Sequence, residues 1–237
     1  MISSKGNIKF KKLKKLSLKK YRDLYAEFLI FGEHLVQEAL KKKVIIEIYT
    51  IYPSQQGILI SHHLMKELNK NKTLYQICAL CRIKPQTLQS DKILVLDDIQ
   101  DPSNVGILLR SACAFDFKHV FSSSRSVDFY NEKTIRTSQG AIFHLSLERG
   151  NLIEFLSSAK KNNYTIFSSS VNKKNINLNN VSYLNKNKKK ILILGNEGAG
   201  VSSLVEDNSD YSLYIDINNI ESLNVGVAGS ILMHLLK

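Results

Sequence analysis

The stretch "ILILGNEGAGVS", residues 191–202, sets four aliphatic residues directly before three glycines spaced around a carboxylate. This pattern is typical of a buried strand that ends in a loop where a ligand can approach the backbone. The glycines match neither the phosphate-binding GxxxxGK[ST] loop nor the dinucleotide-binding GxGxxG fingerprint, and Glu197 would repel a pyrophosphate. We therefore expect either a neutral or cationic ligand with hydroxyls and an adenine-like ring, or a glycine-rich turn in which Glu197 caps the next helix.

The chain on both sides of this loop alternates apolar strands with helical segments. Because such alternation is typical of an α/β fold, we predict a mostly parallel sheet with helices on both faces. Ligands of such folds bind beyond the carboxyl ends of the strands, here the loops after Asp98, Leu194 and Ile217. Residues 171–190, rich in Asn and Lys, are interpreted as a loose surface connection. The predicted strands are ILVLDD, HVFSS, AIFHLSL, YTIFSSS, ILILG and YSLYIDI, and the helices are SNVGILLRSACAF, NLIEFLSSAKK and SLNVGVAGSILMHLL.

The first of these loops, "LDDIQDPSNVGILLR" at 96–110, leads into a predicted helix that Ser103 or Asn104 can cap. Apolar residues recur there at helical spacing and predict the face that packs on the sheet: Val105, Leu108, Leu109 and Ala112. Arg110 lies off this stripe. A lone arginine on a helix is usually a surface residue, but one in the first turns after the carboxyl end of a strand is better placed to meet an anion.

The third loop, "IESLNVGVAGSILMHLL" at 220–236, opens the last predicted helix. Ser222 can cap this helix, and Asn224 falls in its first turn. The small residues that follow keep the helix thin and allow another backbone to approach closely.

The charge of the chain is concentrated at its N-terminal end. The formal net charge is +12, and residues 1–90 hold 17 Lys and Arg against 6 Asp and Glu, a net +11. We therefore place a domain boundary near 85–91, which separates a basic N-terminal α/β domain, 1–88, from a second domain, 89–237. The run "KFKKLKKLSLKKYR" favours a polyanionic partner, since basic residues alternate with Phe10, Leu13, Leu16 and Tyr21. RNA, DNA and an anionic membrane all satisfy this signal.

The cysteines and the apolar runs limit the other classes of function. Cys78, Cys81 and Cys113 form a sparse, odd set that favours a reducing cytoplasm. The CxxC at 78–81 lacks a second ligand pair for a metal, so we expect two half-buried thiols and no metal site. The apolar runs are too short and too often broken by charges to predict a transmembrane helix.

In their order along the chain, four motifs resemble those of the SpoU-type RNA 2′-O-ribose methyltransferases of the SPOUT superfamily. These motifs are "DPSNVGILLR", "SQGAIFHL", "LGNEGAGVS" and "IESLNVGVAGSILM", and they span nearly all of 93–237. The opening "FLIFGEHLVQEAL" is similar to the family's N-terminal RNA-binding module. The resemblance implies a C-terminal trefoil knot, S-adenosyl-L-methionine (AdoMet) as cofactor, and a homodimer whose active site uses both subunits. AdoMet has no phosphate and carries a sulfonium cation, so it tolerates a nearby carboxylate.

The resemblance also assigns residues to the site. The residues matched to the cofactor pocket are Leu194, Gly195, Glu197, Gly198, Ile215, Leu223 and Asn224. The residues matched to the polar active-site set are Asn104, Arg110, Glu197, Ser222 and Asn224. The family often has Ile-Pro-Met where this chain has Ile-Asp-Ile, so Asp216 replaces a proline beside the cofactor. We interpret Arg110 as an electrostatic clamp on the target phosphate, because a guanidinium is effectively never deprotonated.

The function that the resemblance implies is AdoMet-dependent methylation of a ribose 2′-hydroxyl in structured RNA, with ribosomal RNA favoured. A tRNA 2′-O-methyltransferase and a non-catalytic RNA-binding protein of the same fold are the alternatives. The expected enzyme is a cytoplasmic homodimer that needs neither metal nor membrane. A nucleotide-dependent oxidoreductase is excluded by the missing fingerprint.

Overall fold

A computed structural model describes residues 1–69, 74–84, 90–170, 176–177 and 188–237. The chain forms two compact units, Met1–Lys84 with Tyr130–Phe143 and Pro85–Phe129 with His144–Lys237. The assignment of RNA binding to residues 1–88 and of AdoMet binding to residues 89–237 stays a prediction. Residues 85–89 of the predicted boundary and most of the predicted surface connection at 171–190 lie outside the described residues.

The first unit is built on a four-stranded sheet. In spatial order its strands are β1 (Glu27–Phe31), β4 (Ile77–Arg82), β2 (Ile45–Thr50) and β3 (Ile58–Leu59). Strand β4 is antiparallel to β1 and β2, and β3 is parallel to β2. The helices of this unit are α1 (Ile8–Lys15), α2 (Lys19–Tyr25), α3 (Glu33–Lys41), α4 (His62–Leu68) and α6 (Glu132–Ser138). The predicted small α/β domain is therefore present, and Tyr130–Phe143 is part of the same unit.

Burial in the first unit follows the apolar periodicity of its helices. Phe10, Leu13 and Leu16 turn into the core, so α1 presents its lysines and Ile8 to solvent. The prediction of half-buried thiols was wrong, because Cys78 and Cys81 on β4 are fully buried. Burial raises the pKa of the Cys78 thiol to about 12, and it also raises the pKa of Cys81. Both side chains are therefore inert core residues.

The second unit is a seven-stranded sheet in which every described pair of neighbouring strands is parallel. In spatial order its strands are β7 (Ser146–Gly150), β6 (His119–Ser123), β5 (Lys92–Leu96), β10 (Lys190–Leu194), β8 (Thr165–Ser170), β11 (Tyr211–Tyr214) and β9 (Ile176–Asn177). All five residues of β10 are buried, as its aliphatic sequence predicts for a central parallel strand. The predicted mostly parallel sheet is confirmed, while the trefoil knot stays a prediction.

Helices cover both faces of this sheet, as predicted. On one face, α7 (Leu152–Lys161) and α8 (Ser203–Asn208) pack on alternate strand residues such as Val95 and Ile193. On the other face, α5 (Pro102–Ala114) packs against α9 (Val225–Leu236). A Cβ on Gly229 of α9 would lie 2.4 Å from side-chain carbons of both Leu108 and Leu194. This glycine therefore allows α9 to approach both the sheet and α5.

Three sequence-based assignments of element ends are corrected by the structure. Helix α5 is capped by Asp101, whose Oδ1 accepts from Ser103 N at 2.9 Å, because Pro102 occupies the first helical position and the cap is the residue before it. Asn224, rather than Ser222, caps α9. The segment predicted as the strand AIFHLSL begins as a 3₁₀ helix, Ala141–His144, and only its end joins β7.

No helix in the described ranges has both the length and the apolar composition needed to cross a lipid bilayer.

The C-terminal end of α9 is held by a buried cation, since Lys190 Nζ donates to the Leu236 carbonyl at 3.1 Å. Burial lowers the pKa of Lys190. This bond ties the last helix to the start of the central strand.

Candidate cofactor pocket and active site

The loops that follow β5, β10 and β11 come together at the carboxyl end of the sheet. The loops after β10 and β11 line a pocket of about 880 Å³ with Ser169 and Ser170 of β8 and the first turn of α9. This volume is in the range of small-molecule sites. The predicted location of the ligand, beyond the carboxyl ends of the strands, is therefore where the structure has its cavity.

The glycine loop after β10 folds back on itself. A Cβ on Gly195 would lie 2.2 Å from the backbone of Gly200, and Gly200 itself has a φ of +71°. Only glycine fits both requirements. The turn is closed by Asn196, whose Oδ1 accepts from Gly198 N at 2.9 Å and from Ala199 N at 3.0 Å. The loop is thus shaped by its own backbone before any ligand binds.

The Glu197 carboxylate connects this loop to the loop that follows β5. Its Oε1 accepts from Asp101 N at 3.1 Å and from Asn104 Nδ2 at 3.0 Å, and its Oε2 accepts from Gln100 N at 3.2 Å. Asn196 adds a second link, since its Nδ2 donates to the Asp98 carbonyl at 3.0 Å. The alternative in which Glu197 caps the next helix is wrong, because its carboxylate bonds to residues before and within α5.

The environment of Glu197 keeps its carboxylate ionised. Burial alone would raise its pKa, but the hydrogen bonds from Asn104 and from the backbone N–H groups of Asp101 and Gln100 outweigh that effect. The pKa of Glu197 is therefore lowered. The side chain is a permanent anion at the wall of the pocket near neutral pH.

Asn224 completes a chain of polar contacts from α9 to the glycine loop. Its Oδ1 accepts from Gly226 N at 2.9 Å and from Val227 N at 3.3 Å, which caps the helix. Its Nδ2 donates to Asn104 Oδ1 at 3.0 Å, and Asn104 is buried in the first turn of α5. Asn224, Asn104 and Glu197 therefore form one connected network across three loops.

The charge of the pocket wall is opposite to the charge of the chain. Glu197, Glu206 and Glu221 line the pocket, and none of the described residues that line it is Lys, Arg or His. A ligand anchored by phosphate would find no cation there, whereas a positively charged ligand would be favoured. Within the described ranges, no group of three or more His, Cys, Asp or Glu side chains is placed to hold a metal ion.

The structure brings most of the predicted site residues together. Those that line the pocket are Gly195, Glu197, Gly198, Ile215, Ser222 and Leu223. Asn104 and Asn224 reach it through the hydrogen-bond network. Leu194 lies beneath the pocket, packed under Gly229 at the end of β10. Asp216 is exposed in the loop after β11.

Arg110 is the predicted site residue that is not in this group. It is exposed on α5 and is not among the residues that line the pocket. Six positions separate it from Asn104, which turns it to a different face of the helix. The role of Arg110 stays a prediction.

Four residues that shape the site were not singled out from the sequence: Asp97, Gln100, Asp101 and Asn196. Asp97 is buried and accepts from Ser202 Oγ at 2.9 Å, which anchors the far end of the glycine loop. Asp97 directly follows β5, and Asn196 comes two residues after β10. A polar residue close after a buried strand was therefore the sequence signal that could have identified both of them. Asp98 has a φ of +63°, a strained conformation that is common near functional sites.

Fold and site together define a parallel α/β protein that binds a small, phosphate-free ligand at the carboxyl ends of its strands. The model of the SpoU rRNA Methylase family matches residues 91–234, and the chain belongs to that family. The model of the MRM3-like substrate binding domain matches residues 7–79. The family match covers the whole described pocket.

Individual relatives agree with this assignment. The 23S rRNA (guanosine(2553)-2′-O)-methyltransferase RlmP of Bacillus subtilis (strain 168) is 34% identical over 250 residues, which cover 100% of this chain and 98% of RlmP. The AdoMet-bound rRNA methyltransferase of Sinorhizobium meliloti shares the fold with a TM-score of 0.86 at 20% identity, over 99% of this chain and 96% of that one. The SpoU methyltransferase AviRb of Streptomyces viridochromogenes, in complex with AdoMet, has a TM-score of 0.84 at 18% identity, over 97% of each chain. At these identities the two structures show the fold alone.

Proposed function

We propose that this protein transfers the methyl group of AdoMet to a ribose 2′-hydroxyl of ribosomal RNA. The observation that carries the proposal is the full-length similarity to RlmP, at 34% identity over 100% of the chain. The pocket supports it independently, because five of the seven residues matched to the cofactor site line one cavity: Gly195, Glu197, Gly198, Ile215 and Leu223. The intact polar network of Asn104, Glu197 and Asn224 argues against a non-catalytic protein of the same fold.

The residues of the pocket fit AdoMet. Its volume of about 880 Å³ accommodates a nucleoside with an amino-acid tail. The three carboxylates of its lining suit a ligand with a sulfonium and an amino group, and the absence of cations among the described lining residues fits a ligand without phosphate. When bound, AdoMet supplies an electrophilic methyl group.

The chain's own residues would orient the reacting groups and exclude other orientations of the ribose hydroxyl relative to the methyl–sulfur bond. Glu197 stays ionised and holds the loop before α5, while Asn104 and Asn224 fix the entrance of α9 beside the pocket. Alignment of the hydroxyl with the methyl–sulfur bond would supply much of the acceleration. Arg110 would clamp the target phosphate and stabilise the developing alkoxide as a fixed cation. The base that accepts the hydroxyl proton is left open.

The exposed position of Arg110 is consistent with a homodimer in which it serves the partner's site. Helices α5 and α9 pack together, and their outer faces carry the exposed apolar residues Ile107, Val227 and Leu235. Ile107 is 37% exposed and Val227 is 47% exposed, and exposed apolar residues grouped on one face are typical of protein interaction sites. We propose this face as the dimer interface, with Arg110 on it. Light scattering should find a dimer, and Val227→Arg should give a monomer that has lost methyl transfer.

The substrate assignment rests on the first unit and on RlmP. Most of the net positive charge lies in residues 1–90, and the substrate-binding model covers residues 7–79.

The sparse cysteines, two of them buried, support a reducing cytoplasmic location.

The test is methyl transfer from labelled AdoMet to purified 23S rRNA, 16S rRNA and bulk tRNA, followed by mapping of 2′-O-methylated positions. We expect incorporation into 23S rRNA at a ribose hydroxyl. Incorporation into tRNA alone would contradict the assignment to ribosomal RNA. Absence of transfer to any RNA, with AdoMet bound, would favour the non-catalytic alternative.

A further inference from the structure

The first two helices carry lysines of two kinds. One kind forms salt bridges with carboxylates: Lys5 and Lys14 with Glu67, Lys9 with Glu47, Lys12 with Glu27, and Lys19 with Asp23. The bonds from Lys14 and Lys5 lower the pKa of Glu67 to about 2, so these lysines are engaged. The other kind comprises Lys11, Lys15 and Lys20, which are exposed and have no carboxylate partner among the described residues. The five salt-bridged lysines share four carboxylates and keep one net positive charge, whereas each lysine of the second kind is uncompensated.

Two of the three uncompensated lysines lie beside a tyrosine ring, and Lys11 lies one helical turn before Lys15 on the same face of α1. The Nζ atoms of Lys15 and Lys20 lie 5.3 Å and 4.9 Å from the ring centroid of Tyr21. The Tyr21 ring is stacked with that of Tyr25, with centroids 6.1 Å apart and planes 15° from parallel. Both rings are partly exposed. Cation and aromatic groups are therefore held together at one surface.

We propose that Lys11, Lys15, Lys20, Tyr21 and Tyr25 form a binding surface for single-stranded segments of the RNA substrate. We name it the lysine–tyrosine surface. The lysines bind phosphates, and the tyrosine rings accept unpaired bases by stacking. That this RNA is the substrate rests on the proposed function, whereas the binding of RNA does not.

RNA fits this surface better than an anionic membrane does. A membrane-bound amphipathic helix needs a continuous apolar face turned outward. In α1 the apolar side chains Phe10 and Leu13 are buried in the core, as is Leu16 at its C-terminal cap, and the exposed Ile8 alone makes no continuous apolar face. The rings of Tyr21 and Tyr25 lie among cations, an arrangement that suits a polymer of alternating phosphates and flat bases.

The test compares two double substitutions of equal charge in the full-length protein. Lys15→Gln with Lys20→Gln removes two uncompensated lysines, and Lys9→Gln with Lys19→Gln removes two lysines that each have a carboxylate of their own. The probe is 23S rRNA transcribed in vitro, measured by filter binding at several salt concentrations. We expect the first pair to weaken binding about tenfold and to reduce the salt slope by about 1.4, the value for two contacts to single-stranded phosphates. The second pair should weaken binding less than threefold.

Tyr21→Leu separates stacking from charge. It should weaken binding several-fold without changing the salt slope. AdoMet affinity and the melting temperature report whether each variant is folded.

Equal losses for the two lysine pairs would overturn the proposal, because net charge alone would then explain the affinity. It would also be overturned if phosphatidylserine vesicles bound the wild type but not the Lys15 and Lys20 variant, while RNA affinity stayed the same. A protein that binds RNA through these lysines but methylates none would contradict the proposed function and leave the surface supported.

Discussion

Asn104 and Glu197, 93 positions apart in sequence, are joined by a hydrogen bond of 3.0 Å from Nδ2 to Oε1. The direction of this bond is determined by the cap of α9. Asn224 uses its Oδ1 for Gly226 N, so its Nδ2 must donate to Asn104 Oδ1. The amide of Asn104 then has only its Nδ2 to offer Glu197, which accepts as an ionised carboxylate. The start of α9 and the glycine loop are thereby coupled through one buried side chain.

Glu197→Gln should weaken AdoMet more than the product S-adenosylhomocysteine. Glutamine keeps the shape of the side chain but replaces the oxygen that accepts from Gln100 N with an amide donor. Because two donors then face each other, the loop should be disturbed and both ligands should lose some affinity. AdoMet should lose several-fold more, since its sulfonium also loses a favourable charge worth about 1 kcal/mol. Calorimetric titration of both ligands measures this ratio. The control is Glu221→Gln, an exposed acid of the same lining, which should change the ratio less. Equal losses of affinity for the two ligands would mean that Glu197 has a purely structural role.

The stability contributed by Glu197 should depend on pH in one direction. Hydrogen bonds lower its pKa in the folded protein below the unfolded value of about 4.3. Its contribution is therefore present above the unfolded pKa and is lost as the pH falls through the folded pKa. Urea unfolding of wild type and Glu197→Gln between about pH 6 and pH 3 should show free energies that converge on acidification. A constant gap over that range would contradict the lowered pKa.

Gly195→Ala should disrupt the pocket, whereas Gly198→Ala should be tolerated. A Cβ at Gly195 would lie 2.2 Å from backbone atoms that cannot move aside, and the expected cost is about 1–3 kcal/mol of folding free energy or more. At Gly198 the nearest atom is 3.7 Å away, which is an ordinary contact. Thermal unfolding and AdoMet titration of both variants provide the comparison. Normal AdoMet affinity in Gly195→Ala would mean that the loop opens without loss of the site.

Arg110→Ala should remove methyl transfer while leaving AdoMet affinity within a few-fold of wild type. The side chain is exposed on α5 and lies outside the residues that line the cofactor pocket. The matched control is Lys118→Ala, another exposed cation, which pairs with Asp116 at 3.0 Å. The control should retain activity. Transfer at the wild-type rate in Arg110→Ala would exclude the clamp.

Local pattern predicted the elements of the second unit well, because burial and periodicity act over short distances. The stripe Val105, Leu108, Leu109 and Ala112 is buried as predicted, and the aliphatic β10 is the central strand. The cap of α5 was missed because Asp101, Ser103 and Asn104 are all good capping residues, and only the position of Pro102 in the helix separates them.

Local sequence patterns did not predict which side chains of distant loops bond to each other, although the family resemblance placed Asn104 and Glu197 in one active-site set. The pairing of Glu197 with Asn104 follows from β5 and β10 being neighbours in the sheet, and no local signal specifies that order. The same limit applies to Tyr130–Phe143. This segment lies within the sequence of the second unit but packs with the first, where the ring of Tyr130 is 4.7 Å from that of Phe28.

The central position of β10 has a consequence for folding during synthesis of the protein. Strands β5 and β8 both pair with β10, and β10 follows β5 by about a hundred residues. The two halves of the sheet therefore cannot be joined to each other until residue 194 has left the ribosome. At synthesis rates of about 5–20 residues per second, the edge of β5 that pairs with β10 waits on the order of 5–20 s. Such non-local pairing also slows folding itself. During that interval the growing chain exposes the unpaired edge of β5, and after residue 170 also that of β8, and such unpaired edges are prone to aggregation.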